Sequence, residues 1–277
     1  FGQYSVVDGK QRITAIHRFM TDKLELTALE QFVEVEGCRF SNLPRELQNA
    51  LEVRPYLRVI TLLKQSDPLL KFEVFTRLNR GGEQMQAQEL RNVAFRGELN
   101  DLIYELAEND FLRQQLKIRN NKGRAYELMQ DAEFVLRFLT MREVWQNFSG
   151  DFRSEMDRFM VRHRDANKAK LAEFRRVFLR AIDGCAKIWG NLAFKRPIGN
   201  GWRDQMLAGM YDAEMLAVDL LSDDELAHAI EHRELIVEGT RMLFRNPAFE
   251  MAVRQATNTP SRVVFRVGAI RDLLLQV

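Results

Sequence analysis

The sequence predicts an α+β protein that is mainly α overall: a mixed α/β lobe over residues 1–97, then a large all-helical domain over 98–277. Three observations carry this. Up to about Gly97, short β-branched and apolar runs alternate with turns and short helical stretches. Beyond Gly97, apolar residues recur at three- and four-residue intervals, the period of a helix with one buried face. The composition is globular, 46% hydrophobic and 29% charged over 277 residues. A chain of this length buries about 70–75% of the surface its unfolded form exposes, so it needs no disulfide or metal staple and is not intrinsically disordered.

In the first lobe, Tyr4 to Val7, Phe32 to Val35 and Leu57 to Leu63 read as strands, being short, apolar and bounded by charged or turn residues. The helical domain is read from Leu102, Ile103 and Leu106; from Phe134, Val135, Phe138 and Leu139; from Phe174, Val177, Phe178 and Ile182; and from Met206, Met210 and Leu216. Turn and capping residues predict breaks at Asn120 to Gly123, Gly150, Pro197 to Gly201, Ser222, Asn246 to Pro247 and Asn258 to Pro260. No internal repeat or low-complexity segment is present.

The formal net charge of +2 conceals an asymmetry. Arg113, Lys117, Arg119, Lys122 and Arg124 fall in one stretch without an acid, whereas between Asp212 and Glu238 nine acids accompany only Arg233. Solvated helix faces account for such segments. A basic surface that tracks nucleic-acid phosphates, with the acidic segment turned elsewhere, accounts for them as well. No uncharged apolar stretch approaches the ~18 residues of a membrane-spanning helix, and no signal-peptide pattern is seen, so a soluble cytoplasmic protein without membrane contact is expected. Cys38 and Cys185, far apart and outside any paired motif, suit a reducing compartment and exclude a cysteine-based zinc site within one chain. The chain opens on Phe1 rather than Met and is expected to begin inside a longer polypeptide.

Chemistry concentrates in two places. In the run from Tyr4 to Ile16, an apolar strand leads through Asp8 and Gly9 into an amphipathic helix with Ile13, Ile16 and Phe19 on one face. Such a junction leaves first-turn amides free at the positive end of the helix dipole, where a phosphate binds. Gly9 lets backbone approach a ligand, Lys10 adds charge, Arg12 can fork two hydrogen bonds onto phosphate oxygens, and Gln11 can orient a water. The same residues also suit a helix capped by Asp8 with solvated cations. Downstream, Phe75 to Gly82 places Arg77, Asn79 and the Gly81–Gly82 pair ahead of Glu89, Leu90, Arg91 and Asn92. These can complete a polar pocket for base, ribose or phosphate, or form a helix cap followed by a helix in which Glu89 pairs with an arginine.

These residues carry a resemblance. Asp8-Gly9-Lys10-Gln11-Arg12 closely resembles the DGQQR motif of the GmrSD-type restriction-protein family, whose amino-terminal domain is similar to ParB and sulfiredoxin. Phe75-Thr76-Arg77-Leu78-Asn79-Arg80-Gly81-Gly82 and Glu89-Leu90-Arg91-Asn92 match that family's F-x-R-[IL]-N-x-G-G and E-L-R-N signatures in the right order, and Glu133 to Leu139 looks like its helical segment. The resemblance implies a prokaryotic anti-phage component of modification-dependent restriction, in which the DGQQR site binds and hydrolyses a nucleoside triphosphate (GTP, UTP, CTP or ATP), with magnesium as an accompanying ion. It also implies DNA as a partner and a separate HNH-type domain or subunit that cuts it.

On this reading Asp8, Gln11 and Arg12 are catalytic, with Asp8 orienting Arg12 or a metal-bound water. Gly9, Lys10, Thr14, Arg77, Asn79, Gly81, Gly82, Glu89, Arg91 and Asn92 bind the nucleotide. Lys10 departs from the family pattern by replacing the first glutamine. The family's upstream I-P-x-x-Q-R segment lies outside the sequence, so the lobe is expected to be incomplete. No HNH pattern is seen, and a sulfiredoxin cysteine is excluded because Lys10 or Gln11 stands at its position. Two rivals stay open: a DNA-binding sensor that turns nothing over, and a ParB-like nuclease. Walker A, G-x-G-x-x-G and G-x-S-x-G patterns are absent. His228 and His232 have the four-residue spacing that holds a metal, with Glu225 and Glu231 near, but without H-E-x-x-H a solvent-facing pair and no metal is the expectation. Trp145, Trp189 and Trp202 are expected in the core rather than stacked on bases.

Overall fold

A computed structural model describes residues 9–53, 57, 59, 61, 74 and 87–276. The chain divides into two compact units, Phe1–Gln84 and Met85–Val277. The expected strand Tyr4 to Val7 lies outside the described residues, as does Leu57 to Leu63 apart from Leu57, Val59 and Thr61.

In the first unit, helix α1 (Lys10–Met20) is followed by short 3-10 turns and helix α2 (Arg45–Val53). Phe19 at the end of α1 packs edge-to-face on Phe40, with ring centroids 5.9 Å apart. Asp22 accepts hydrogen bonds from the Ser41 amide and hydroxyl, both at 2.9 Å, and these hold its carboxyl below the ordinary aspartate value. The expected strand at Phe32 to Val35 is instead a 3-10 turn over Val33–Val35. The reason is local. The Glu36 carboxylate takes the amides of Ala28 and Leu29 at 2.7 and 2.9 Å, and Gly37 (φ 76°) turns the chain back so that its amide bonds the Leu26 carbonyl. Of the apolar run, only Val35 is buried, while Phe32 and Val33 stay 61% and 67% exposed.

The second unit is helical, as its periodicity predicts. It comprises α3 (Ala87–Ala94), α4 (Glu98–Ala107), α5 (Asp110–Gln115), α6 (Arg124–Glu127), α7 (Gln130–Val144), α8 (Phe152–Arg162), α9 (Lys168–Trp189), α10 (Ala208–Asp219), α11 (Asp223–Glu231), α12 (Arg233–Leu243), α13 (Pro247–Arg254) and α14 (Pro260–Leu275). One two-residue hairpin, β1 (Pro197–Ile198) with β2 (Gly201–Trp202), interrupts it, pairing Pro197 with Trp202 and Ile198 with Gly201. Helix starts follow side-chain chemistry: Asn109, Asp151, Asn167 and Asn246 each accept an amide of the first turn, and Ser222 forms a reciprocal capping box with Glu225.

Helix α10 is the centre of this unit, buried from Gly209 through Val218 and packed by α14, α9, α7 and α13. A Cβ on Gly209 would meet the Val253 carbonyl oxygen at 2.5 Å, so only glycine permits the approach of α13. Being enclosed on every side, α10 must neutralise its own acids internally. Asp212 receives Arg137 Nε and Nη2 at 2.6 and 2.7 Å and Arg266 Nη2 at 2.6 Å. The Arg137 guanidinium also lies 3.5 Å above the Phe152 ring centroid. Glu214 Oε2 accepts the Phe194 amide at 2.8 Å, and Oε1 has no partner among the described residues. Burial pushes the Glu214 carboxyl well above the ordinary glutamate value. The acidic segment is therefore not one solvated face: Asp212 and Glu214 are 2% and 0% exposed. Of the three tryptophans only Trp189 is fully buried, with its Nε1 donating to Thr240 Oγ1 at 2.9 Å, whereas Trp145 and Trp202 are half-buried.

Candidate functional site

The first motif opens α1. Gly9 precedes the helix at φ 82° and ψ 11°, a left-handed conformation that favours glycine, and its carbonyl accepts the Ile13 amide at 2.8 Å. Gly9 supplies no side-chain cap, and the first turn contains no acidic residue. The Arg12 guanidinium lies against Gly9, with Nη2 3.5 Å from the position a Cβ would take. Lys10, Gln11, Arg12 and Thr14 are exposed. Backbone amides, a guanidinium and an ammonium thus share one helix start, a suitable environment for an anion. Asp8 lies outside the described residues, as do Arg77, Asn79, Gly81 and Gly82.

Glu89, Arg91 and Asn92 stand on α3, in the helical unit. Arg91 is 1% exposed, and its Nε donates to Asp157 Oδ1 on α8 at 2.7 Å, with further contacts from Nη1 to Gln88 at 3.3 Å and from Nη2 to the Arg153 carbonyl at 3.5 Å. Burial raises the Asp157 carboxyl above its ordinary value despite the opposing pull of Arg91. Asn92 Oδ1 accepts Asn100 Nδ2 at 2.8 Å, tying α3 to α4. The motif thereby anchors α3 in the helical unit.

The five basic residues are partly brought together. Arg113 is engaged by Glu108 at 2.7 Å and Asp131 at 3.4 Å. Lys117 Nζ pairs with Asp204 Oδ2 at 2.8 Å, and Lys195 Nζ takes the other oxygen of the same carboxylate at 2.8 Å. These bonds hold the Asp204 carboxyl down to about 2. Arg119 and Lys122 flank a tight turn in which Asn120 and Asn121 both take left-handed φ, 52° and 53°. Arg119, Lys122 and Arg124 are exposed, and among the described residues no acid pairs with them. Beside the turn, Gln114, Lys117, Arg119, Asn120, Asn191, Lys195 and Asp204 line an open polar pocket of about 610 Å³.

Sequence reasoning missed Lys195, Asn191 and Asp204. The signal was present: Lys195, Arg196 and Arg203 bracket Gly199-Asn200-Gly201, a hairpin turn with basic arms. It also missed the order His228-Ala229-Ile230-Glu231-His232, the reverse of H-E-x-x-H.

Residues 1–96 match the family model described as the GmrSD restriction endonuclease, N-terminal domain. The last helix of that stretch, α3, belongs to the second compact unit. No curated protein and no solved structure matches the chain. Among the described residues, no helix is long and apolar enough to cross a membrane.

Proposed function

We propose that the protein is the nucleoside-triphosphate-binding and hydrolysing component of a prokaryotic anti-phage DNA restriction system, a reading supported by the match of residues 1–96 to the GmrSD restriction endonuclease N-terminal domain. The observation that carries this reading is the start of α1, where a left-handed Gly9 and an acid-free first turn meet Lys10, Gln11 and Arg12. Phosphate oxygens take the first-turn amides, and Arg12 forks onto them. Lys10 adds attraction, while the neutral Gln11 aligns the attacking water. Magnesium would neutralise phosphate charge when bound. Among the described residues the first turn of α1 offers it no carboxylate.

Exposed Arg119, Lys122 and Arg124 beside the polar pocket favour a second function, contact with DNA phosphates. If that contact were the whole activity, the protein would be a sensor. Triphosphate turnover by the intact protein, measured with and without duplex DNA, separates the two. Turnover that rises with DNA and vanishes in Arg12→Ala is the expected result; salt-sensitive DNA binding without turnover assigns the sensor. Gln11→Ala should lower turnover while leaving nucleotide affinity nearly intact, and equal losses in both would make Gln11 a ligand instead.

A further inference from the structure

We propose that His228, Glu231 and His232 form a binding site for a divalent transition ion of the zinc class, at the carboxyl-terminal end of α11. The three residues stand at i, i+3 and i+4, so one helix face presents all of them. Their nearest donor atoms, two imidazole nitrogens and a carboxylate oxygen, all lie within 4.8 Å of one another.

A second observation prepares the site. His232 Nδ1 lies 3.0 Å from the His228 carbonyl oxygen. That carbonyl can only accept, so the contact selects the tautomer with the proton on Nδ1 and leaves the Nε2 lone pair available. Metal-binding histidines are oriented by this same device, one ring nitrogen on a carbonyl and the other on the ion. The imidazoles stand side by side, with ring centroids 4.2 Å apart and planes tilted by 45°.

The donors gather on the last turn and the C-cap of α11, and because His232 is also the N-cap of α12, the negative end of one helix and the positive end of the next meet there, so the cation is held by the donor set rather than by a helix dipole. Among the described residues no salt bridge uses Glu231, and Arg233 is placed with Nη2 3.6 Å from the position of a Cβ on Gly190, in the loop after α9. His228 and Glu231 are exposed and His232 is half-buried, so little packing opposes the small rotations that bring the donors to tetrahedral spacing, roughly 3.4 Å for bonds near 2.0–2.1 Å.

Two imidazoles with one carboxylate suit zinc and its neighbours rather than magnesium or calcium, which take oxygen ligands. Three protein ligands leave the fourth position to water. The order of the residues, H-x-x-E-H, is used for zinc in one class of enzymes. Here Glu231 lies within donor range of both histidines and serves as the third ligand.

The test is titration of tag-free full chain with Zn²⁺ by calorimetry and with Co²⁺ by visible absorption. Wild type should bind one ion per chain, with Co²⁺ bands of a low-coordinate site, and its melting temperature should rise with Zn²⁺. His228→Ala and Glu231→Gln, both at exposed positions, should each weaken Zn²⁺ by at least about tenfold and lose the Co²⁺ bands and the melting shift. Absence of saturable Zn²⁺ binding in wild type, or equal affinity in wild type and His228→Ala, overturns the assignment. Unchanged Zn²⁺ affinity in Glu231→Gln overturns the carboxylate as a ligand.

Discussion

Arg91 and Asp157 are joined by a 2.7 Å hydrogen-bonded ion pair across 66 residues of sequence, with the arginine closed to solvent. One partner lies inside the stretch that matches the restriction-family domain, and the other belongs to the helical segment that follows it. Removing one member strands the other charge in a site built for a pair. Arg91→Ala should therefore cost about 3–5 kcal/mol of stability, the range for breaking a buried ion pair. Urea denaturation measures it, and a cost below about 1 kcal/mol would place the pair with surface bridges.

Glu214 gives the helical unit a signed pH dependence. Burial raises its folded-state pKa above the unfolded value, so the folded protein holds the proton more tightly than the unfolded chain does. Stability from this group is full below the ordinary glutamate range and declines as pH rises through it toward the folded pKa. Glu214→Gln retains an acceptor for the Phe194 amide and removes the titration. Thermal melts across pH should show the variant gaining on wild type as pH rises, and parallel profiles would show that Glu214 does not titrate on unfolding.

The basic segment separates into engaged and unengaged members. Arg119→Ala with Lys122→Ala should reduce the slope of log affinity for duplex DNA against log salt by about two. Asp204→Asn should act in the opposite direction, since it releases Lys117 and Lys195 from their shared carboxylate. Fluorescence anisotropy at several salt concentrations reads both effects. Unchanged slopes in both variants would assign the segment to a solvated face.

Local signals in the sequence were sufficient for much of the fold. Phe134, Val135, Phe138 and Leu139 recur at helical spacing on α7, and Ser222, Asn246 and Pro260 mark helix starts where side-chain chemistry places them. Pairings across long separations were not legible. Asp212 reads as one acid of an exposed run until Arg137 and Arg266, 75 and 54 residues away, are seen to meet it. Phe32 to Val35 has strand composition, but the Glu36 side chain satisfies Ala28 and Leu29 and leaves the run a turn. Within the candidate site, Gly9 and Arg12 were legible because a left-handed glycine before a basic helix start is a local device. That Arg91 is an anchor on Asp157 was not, because its burial depends on α8.

On the proposed function, the helix start at Gly9 to Arg12 binds a nucleoside triphosphate. Isothermal titration of the intact protein with each of the four triphosphates, repeated on Arg12→Ala, tests it most directly. Saturable binding of at least one nucleotide is expected, weakened by about 1.5–3 kcal/mol in the variant, the range for a charge-assisted contact. Equal affinity in wild type and a folded Arg12→Ala, or no binding of any triphosphate, would contradict it.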